Sequence, residues 1–246
     1  MIIYLYDGSF DGLYTAIFES YERKEELNDI TVTALSYGFF DTVRNIKTDK
    51  VKAERVKRKL NFLLKNESKI ALDYAFRSND ENKEIIIYNY VKKILKVNAD
   101  ISDNYADASI YALHTIYEKV RKERHLFLGF TRFSLTEYGI YYAKIAPDNN
   151  IADLLLPHFK RRYSSMPFII HDEKRNIFAC YNDNKTSVFA SNEGAKLFKN
   201  VNDNFAKLFK KYYDTVNIKQ RKNLKTMRNF LPTKYHANLP ERNELL

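Results

Sequence analysis

A single cysteine, Cys180, is found among 246 residues. One thiol can neither close an intramolecular disulfide nor assemble a thiolate zinc cluster, which excludes a disulfide scaffold and zinc fingers and makes a reducing cytoplasm the expected setting. Glycine and proline are scarce, at 6 and 5 residues, and they mark no flexible linker, low-complexity tract or fixed-period repeat. No stretch approaches the roughly 18 consecutive apolar residues of a membrane span. Met1 to Asp7 has no basic lead and too few apolar residues for a signal peptide. Neither secretion nor a membrane partner is expected. The five histidines are scattered, and no His-Glu-x-x-His, paired-carboxylate or Gly-x-Ser-x-Gly pattern occurs, so no metal, cofactor or serine-hydrolase elbow is expected.

What the chain does have is apolar content and positive charge. A hydrophobic fraction of 45% with 15% aromatics lies far from the composition of disordered chains. Lys and Arg outnumber Asp and Glu by 41 to 31, for a net charge of +10, which favours a polyanionic partner.

Patterning divides the chain into elements. Ile2 to Tyr6 reads as a short buried strand. Ser9 then caps a helix from about Phe10 to Lys24, with Asp11 in its first turn. Phe10, Leu13, Tyr14, Ile17, Phe18 and Tyr21 recur at three and four and define its buried face. After an unassigned stretch containing Thr31 to Leu35, helices are expected at about Thr48 to Leu64, Ser68 to Arg77, Asp80 to Lys96 and Asp103 to Glu123. From His125 to Ile145 the period shifts toward two, with an antiparallel hairpin around Thr136 to Gly139. A helix follows from Ile151 to Tyr163, bent at Pro157 or regular only beyond it. Pro167 to His171, Ile177 to Tyr181 and Thr186 to Ala190 read as strands, and the last fifty residues as basic helix. The expectation is one α+β domain over residues 1–246. It has one mixed or largely antiparallel sheet, a helical insert at about 48–123 and a basic helical tail at about 197–246.

The strongest compositional signal lies between Phe205 and His236, where nine Lys and Arg face the single acid Asp214. Phe209, Tyr212, Tyr213, Phe230 and Tyr235 are interleaved with them. Cations release condensed counterions from a phosphate backbone, and aromatics stack on exposed bases. Lys219, Arg221, Lys222, Lys225, Arg228, Lys234 and Tyr235 are therefore candidate nucleic-acid contacts. A solvated amphipathic helix is the plainer reading of such a run.

Three smaller groups are also candidates. Arg132, read on a strand between Phe130 and Phe133, could clamp a phosphate from a cleft. His158 and Arg162, four residues apart, share a helical face, with Arg161 beside them. His158 and His125 are candidate general acids or bases, and Arg161 and Arg162 candidate nucleic-acid contacts. Asp7, Gly8, Ser9 and Gly12 form a strand-to-helix loop whose amides could receive a phosphate, although capping and a tight turn explain the same residues.

Tyr6-Asp-Gly-Ser-Phe-Asp-Gly-Leu13, Phe18-Glu-Ser-Tyr-Glu22, Val120-Arg-Lys-Glu-Arg-His125 and Phe130-Thr-Arg-Phe133 together resemble a bacterial family of DNA-metabolism proteins. Pro157-His-Phe-Lys-Arg-Arg-Tyr163, Pro232-Thr-Lys-Tyr-His236 and Leu239-Pro-Glu241 continue the resemblance in order along almost the whole chain. In that family a domain of unknown function is often joined to a uracil-DNA-glycosylase-like domain or encoded beside a radical SAM protein. The resemblance implies a role in DNA repair or modification, with DNA and a radical SAM protein as partners. The chain departs from the family in lacking tryptophan and any Gly-Gln-Asp-Pro-Tyr-type water-activating motif, so glycosylase activity is not implied. The leading expectation is a DNA-binding accessory protein that presents DNA to an enzyme. The alternatives are an enzyme acting on nucleotides or damaged DNA, with His125, Arg132, His158 and Arg162 converging on a cleft beside the Asp7 to Gly12 loop, and an RNA-binding protein.

Overall fold

Ile2–Leu5 (β1) is an apolar run with Ile3 and Tyr4 buried, as suits a central strand of a parallel sheet. The computed structural model describes residues 1–33, 38, 40–192 and 235. These build an α+β fold. The chain divides into two compact units, Met1–Arg121 and Lys122–Leu246.

In the first unit β1 lies between Asp29–Thr31 (β2) and Thr42–Asn45 (β3), and both pairings are parallel. Ile3 is level with Asp29 and Ile2 with Thr42. The connection from β1 to β2 runs through Phe10–Arg23 (α1), which Ser9 caps by accepting from the Gly12 amide at 2.9 Å. Lys24 ends α1 in the left-handed region at φ 56°, its amide turned back to the Ser20 and Tyr21 carbonyls. Four further helices begin in this unit: Lys50–Leu63 (α2), Asn66–Phe76 (α3), Lys83–Val97 (α4) and Ala108–Phe130 (α5). One core joins Tyr4 and Ile30 of the sheet to Leu13 and Ile17 of α1, Val56 and Leu60 of α2, Ile87 and Val91 of α4, and Ile110 and Leu113 of α5. Four helices thus stand in the region where the pattern places four.

The second unit holds a five-stranded mixed sheet of Ser134–Leu135 (β4), Tyr141–Ile145 (β5), Phe168–Asp172 (β6), Ile177–Asn182 (β7) and Lys185–Ala190 (β8), in that order. The β4–β5 hairpin turns at Thr136 to Gly139, where Gly139 takes φ 72° and donates to the Thr136 carbonyl at 3.1 Å. Ala152–Arg162 (α6) carries the chain from β5 to the parallel strand β6 and packs on β6 and β7. Asn182 pairs with Lys185, so β7 and β8 are joined by the two residues Asp183 and Asn184. Both have positive φ, 46° and 63°, as the primed hairpin turn requires.

Three expectations are corrected. The strands form two sheets instead of one, because β1 finds parallel partners close in sequence. The period-two reading fails over its first residues, His125 to Phe130: α5 continues to Phe130, and Val120, Glu123 and Phe127, with Thr131 just beyond, form a buried stripe at three- and four-residue spacing. Arg132 accordingly follows a helix and does not lie on a strand. Helix α6 runs from Ala152 to Arg162 with Pro157 inside it, which leaves a bend at Pro157 as the reading that stands.

Candidate nucleic-acid interface

The last turn of α6 contains Lys160, Arg161 and Arg162, where the carbonyl end of the helix favours cations. Lys160 is engaged: its Nζ donates to the Asn184 carbonyl at 2.9 Å and lies 5.6 Å from the Tyr181 ring centroid. Arg161 and Arg162 are exposed, and neither meets a carboxylate among the described residues. The Arg162 guanidinium sits 5.7 Å from the ring centroid of Tyr163. Two planar forks of donors are thus held at the surface, a geometry suited to phosphate oxygens.

His158 stands one turn before Arg162, and its Nε2 is buried with no hydrogen-bond partner among the described residues. Burial pushes its pKa below the ordinary imidazole value, and the charges of Arg161, Arg162 and Arg124 push it further down. The ring is therefore neutral at neutral pH, able to accept a proton or donate one hydrogen bond. Arg124 reaches this group from α5, where its Nε donates to the Leu154 carbonyl at 3.1 Å. The structure thus joins His158, Arg161 and Arg162, as the spacing implies, and adds Arg124. His125 is on α5, exposed, with no hydrogen bond to His158.

Arg132 donates from Nη1 to the Gly129 carbonyl at 2.7 Å, at the C-terminus of the preceding helix α5. Its guanidinium remains exposed beyond that contact. Tyr235 is 1% exposed, packed edge-on against Phe127 at 5.0 Å and tilted against Phe130 at 5.1 Å. A ring so enclosed is core, and the expectation that it offers a stacking platform is corrected. Lys219, Arg221, Lys222, Lys225, Arg228 and Lys234 lie outside the described residues.

The Asp7 to Gly12 loop belongs to the first unit, at the carboxyl end of β1. The Ser9 amide and hydroxyl and the Gly12 amide are taken up internally. Asp7 accepts from the Ser9 amide at 2.9 Å and the Ser9 hydroxyl at 2.6 Å, and from the Thr48 hydroxyl at 2.6 Å. These bonds hold the Asp7 carboxyl below the usual carboxylate range. A side chain at Gly12 would collide with that carboxylate, so this glycine serves the close approach of Asp7. The arrangement caps α1 and ties it to the start of α2.

The sequence reading passed over a buried polar network in the second unit. Glu123 accepts from the amides of Asp148 and Asn149 and from Asn149 Nδ2, at 2.9, 2.8 and 2.7 Å. Asp172, fully buried, accepts from Arg175 at 2.9 Å, and Arg175 also donates to the Pro147 and Asp148 carbonyls. The only hint in the sequence is one acid, Glu123, inside the basic run from Lys119 to Arg124. Among the described residues no His, Cys, Asp and Glu side chains cluster as metal ligands, and no helix is long and apolar enough to cross a membrane.

These features define an α+β protein with exposed arginines at a helix end that meet no carboxylate among the described residues. The chain belongs to the family described as a domain of unknown function, DUF4130, whose model matches residues 81–241. No curated protein matches it.

Proposed function

We propose that the protein is a DNA-binding accessory factor in DNA repair or modification that presents DNA to a partner enzyme, such as a radical SAM protein. The observation that carries this reading is the segregation of charge: nine Lys and Arg against one acid from Phe205 to His236. Exposed Arg161 and Arg162, which meet no carboxylate among the described residues, add to it. Cations left without acids find their counter-charge in a phosphate backbone. The resemblance to DNA-metabolism proteins favours DNA over RNA and supplies the partner class.

A second reading draws on one observation, the neutral, buried Nε2 of His158 beside three arginines. An enzyme acting on nucleotides or damaged DNA would use the imidazole as general base and the guanidinium groups as charge stabilisers. One experiment separates the two. Purified protein and its His158→Ala variant are titrated into labelled DNA and incubated with nucleotides and damaged oligonucleotides, alone and with the radical SAM protein. The accessory reading expects binding that survives His158→Ala and no turnover by the protein alone. Turnover by the protein alone that His158→Ala abolishes would establish the enzyme instead.

A further inference from the structure

Helix α2 carries a second basic surface, in the first unit and N-terminal to the family match. From Lys47 to Lys65 the chain has eight Lys and Arg against Asp49 and Glu54. Asp49 is spent as the N-cap, accepting from the Val51 and Lys52 amides. Ala53, Val56 and Leu60 face the core, which turns Lys50, Lys57 and Arg58 outward, within about a third of the helix circumference at 100° per residue. All three are exposed. Lys50 and Lys57 meet no carboxylate among the described residues, and Arg58 reaches only Glu54, at 4.0 Å with both side chains exposed. By contrast, lysines 92 and 93 on α4 pair with Glu26 and Asp107 at 2.8 and 2.7 Å.

Two features of α2 run against a merely solvated face. Its first turn carries no acid, and while Lys52 there is paired with Glu19 and Glu22 at 2.6 and 2.9 Å, Lys50 meets no carboxylate among the described residues, although the positive end of a helix dipole disfavours cations. Phe62, four residues after Arg58, is 82% exposed, with the Lys59 ammonium 5.8 Å from its ring centroid. An open aromatic ring among cations is the pairing that single-stranded nucleic-acid sites use, where charges follow the backbone and a ring receives a base.

We infer that the outward face of α2 binds single-stranded DNA, with Lys50, Lys57 and Arg58 against phosphates and Phe62 stacked on an unpaired base. The inference deepens the DNA-binding reading and adds a contact surface outside the basic C-terminal segment. Lys50 and Lys57 are about 10 Å apart along the helix axis, so the stripe spans a few nucleotides.

The test is fluorescence anisotropy of full-length protein with a labelled oligo-dT strand and with a duplex, across a KCl series. The variants are the triple Lys50→Gln, Lys57→Gln, Arg58→Gln and the single Phe62→Ala. A control triple, Lys96→Gln, Lys122→Gln and Lys185→Gln, removes equal charge from elsewhere. Circular dichroism confirms folding of each, and Lys57→Glu serves as a minimal replacement should the first triple fail to fold. The α2 triple should weaken single-strand binding at least about tenfold and lower the salt slope by about 2, at roughly 0.7 per phosphate contact. Phe62→Ala should weaken single-strand binding about tenfold, with the salt slope and duplex affinity unchanged. Wild-type affinity and slope in the α2 triple, or an equal loss in the control triple, would overturn the inference and leave the DNA-binding reading standing. A wild-type protein that binds neither oligonucleotide, or binds only anionic vesicles, would remove both.

Discussion

Glu123 and Asn149 form a closed pair in the second unit: the Glu123 carboxylate accepts from both the backbone amide and the side-chain amide of Asn149, at 2.8 and 2.7 Å. The carboxylate is buried and also takes the Asp148 amide, so it anchors the loop between β5 and α6 to helix α5. Removing one partner of such a group leaves the others desolvated and unpaired. Glu123→Ala should therefore cost about 3 kcal/mol or more, and Glu123→Gln less. Urea unfolding measures both, and a loss below about 1 kcal/mol for the alanine variant would contradict the role.

Tyr235 makes a separate prediction, since its ring is enclosed by Phe127 and Phe130. Tyr235→Ala should destabilise by about 3–5 kcal/mol, as large-to-small changes of buried aromatics do. An unchanged melting temperature with a loss of DNA binding would return the ring to the interface.

The histidines set a pH window. Burial lowers the pKa of both His158 and His171. His171 is enclosed between Tyr142, whose hydroxyl meets its Nδ1 at 2.7 Å, and Phe178, stacked at 4.2 Å. In the folded protein both rings stay neutral at pH values where the unfolded chain already takes up protons. Their contribution to stability is thus fully present above the unfolded imidazole pKa of about 6.5. It is lost as pH falls from there through the lower folded values. Carboxylates such as Glu25, held low by Arg44 and Tyr4, lose their contribution in a more acidic window, below about 4. Urea midpoints should therefore begin to fall just below pH 6.5, and His158→Gln should reduce that first step. A flat or rising midpoint between pH 7 and 5 would contradict the burial of both rings.

Much of the fold was legible because periodicity and turn chemistry agreed. Helix α1 and its Ser9 cap, helices α2 to α4 and the Gly139 hairpin lie within a few residues of where the pattern puts them. The end of α5 was misread because its buried stripe includes Glu123 and Thr131, so a pattern of apolar residues alone breaks there. Strand β3 was missed for the opposite reason: Thr42, Val43 and Asn45 are exposed, and the strand is held by backbone pairing to β1, which leaves no hydrophobic signature. The grouping of His158 with Arg161 and Arg162 followed from helical spacing. Arg124 joins it through a hydrogen bond to the Leu154 carbonyl, a tertiary contact that no local pattern encodes.

The basic tail gives a fourth prediction. Arg221, Lys222, Lys225 and Arg228 recur at spacings of three and four and repel one another if helical, with Asp214 the single acid in their segment. Replacing all four with Gln should remove most DNA binding and leave the melting temperature unchanged or slightly raised. Unfolding of the variant would mean instead that these cations pair with carboxylates of the protein.

The salt dependence of DNA binding tests the central claim most directly. Each phosphate neutralised on a duplex contributes about −0.9 to the slope of log Kobs against log[salt]. Wild-type protein should bind at low salt with a steep negative slope, and the four-Gln tail variant should lower its magnitude by about 3 to 4. Binding that is undetectable at low salt, or insensitive to salt, would contradict the account.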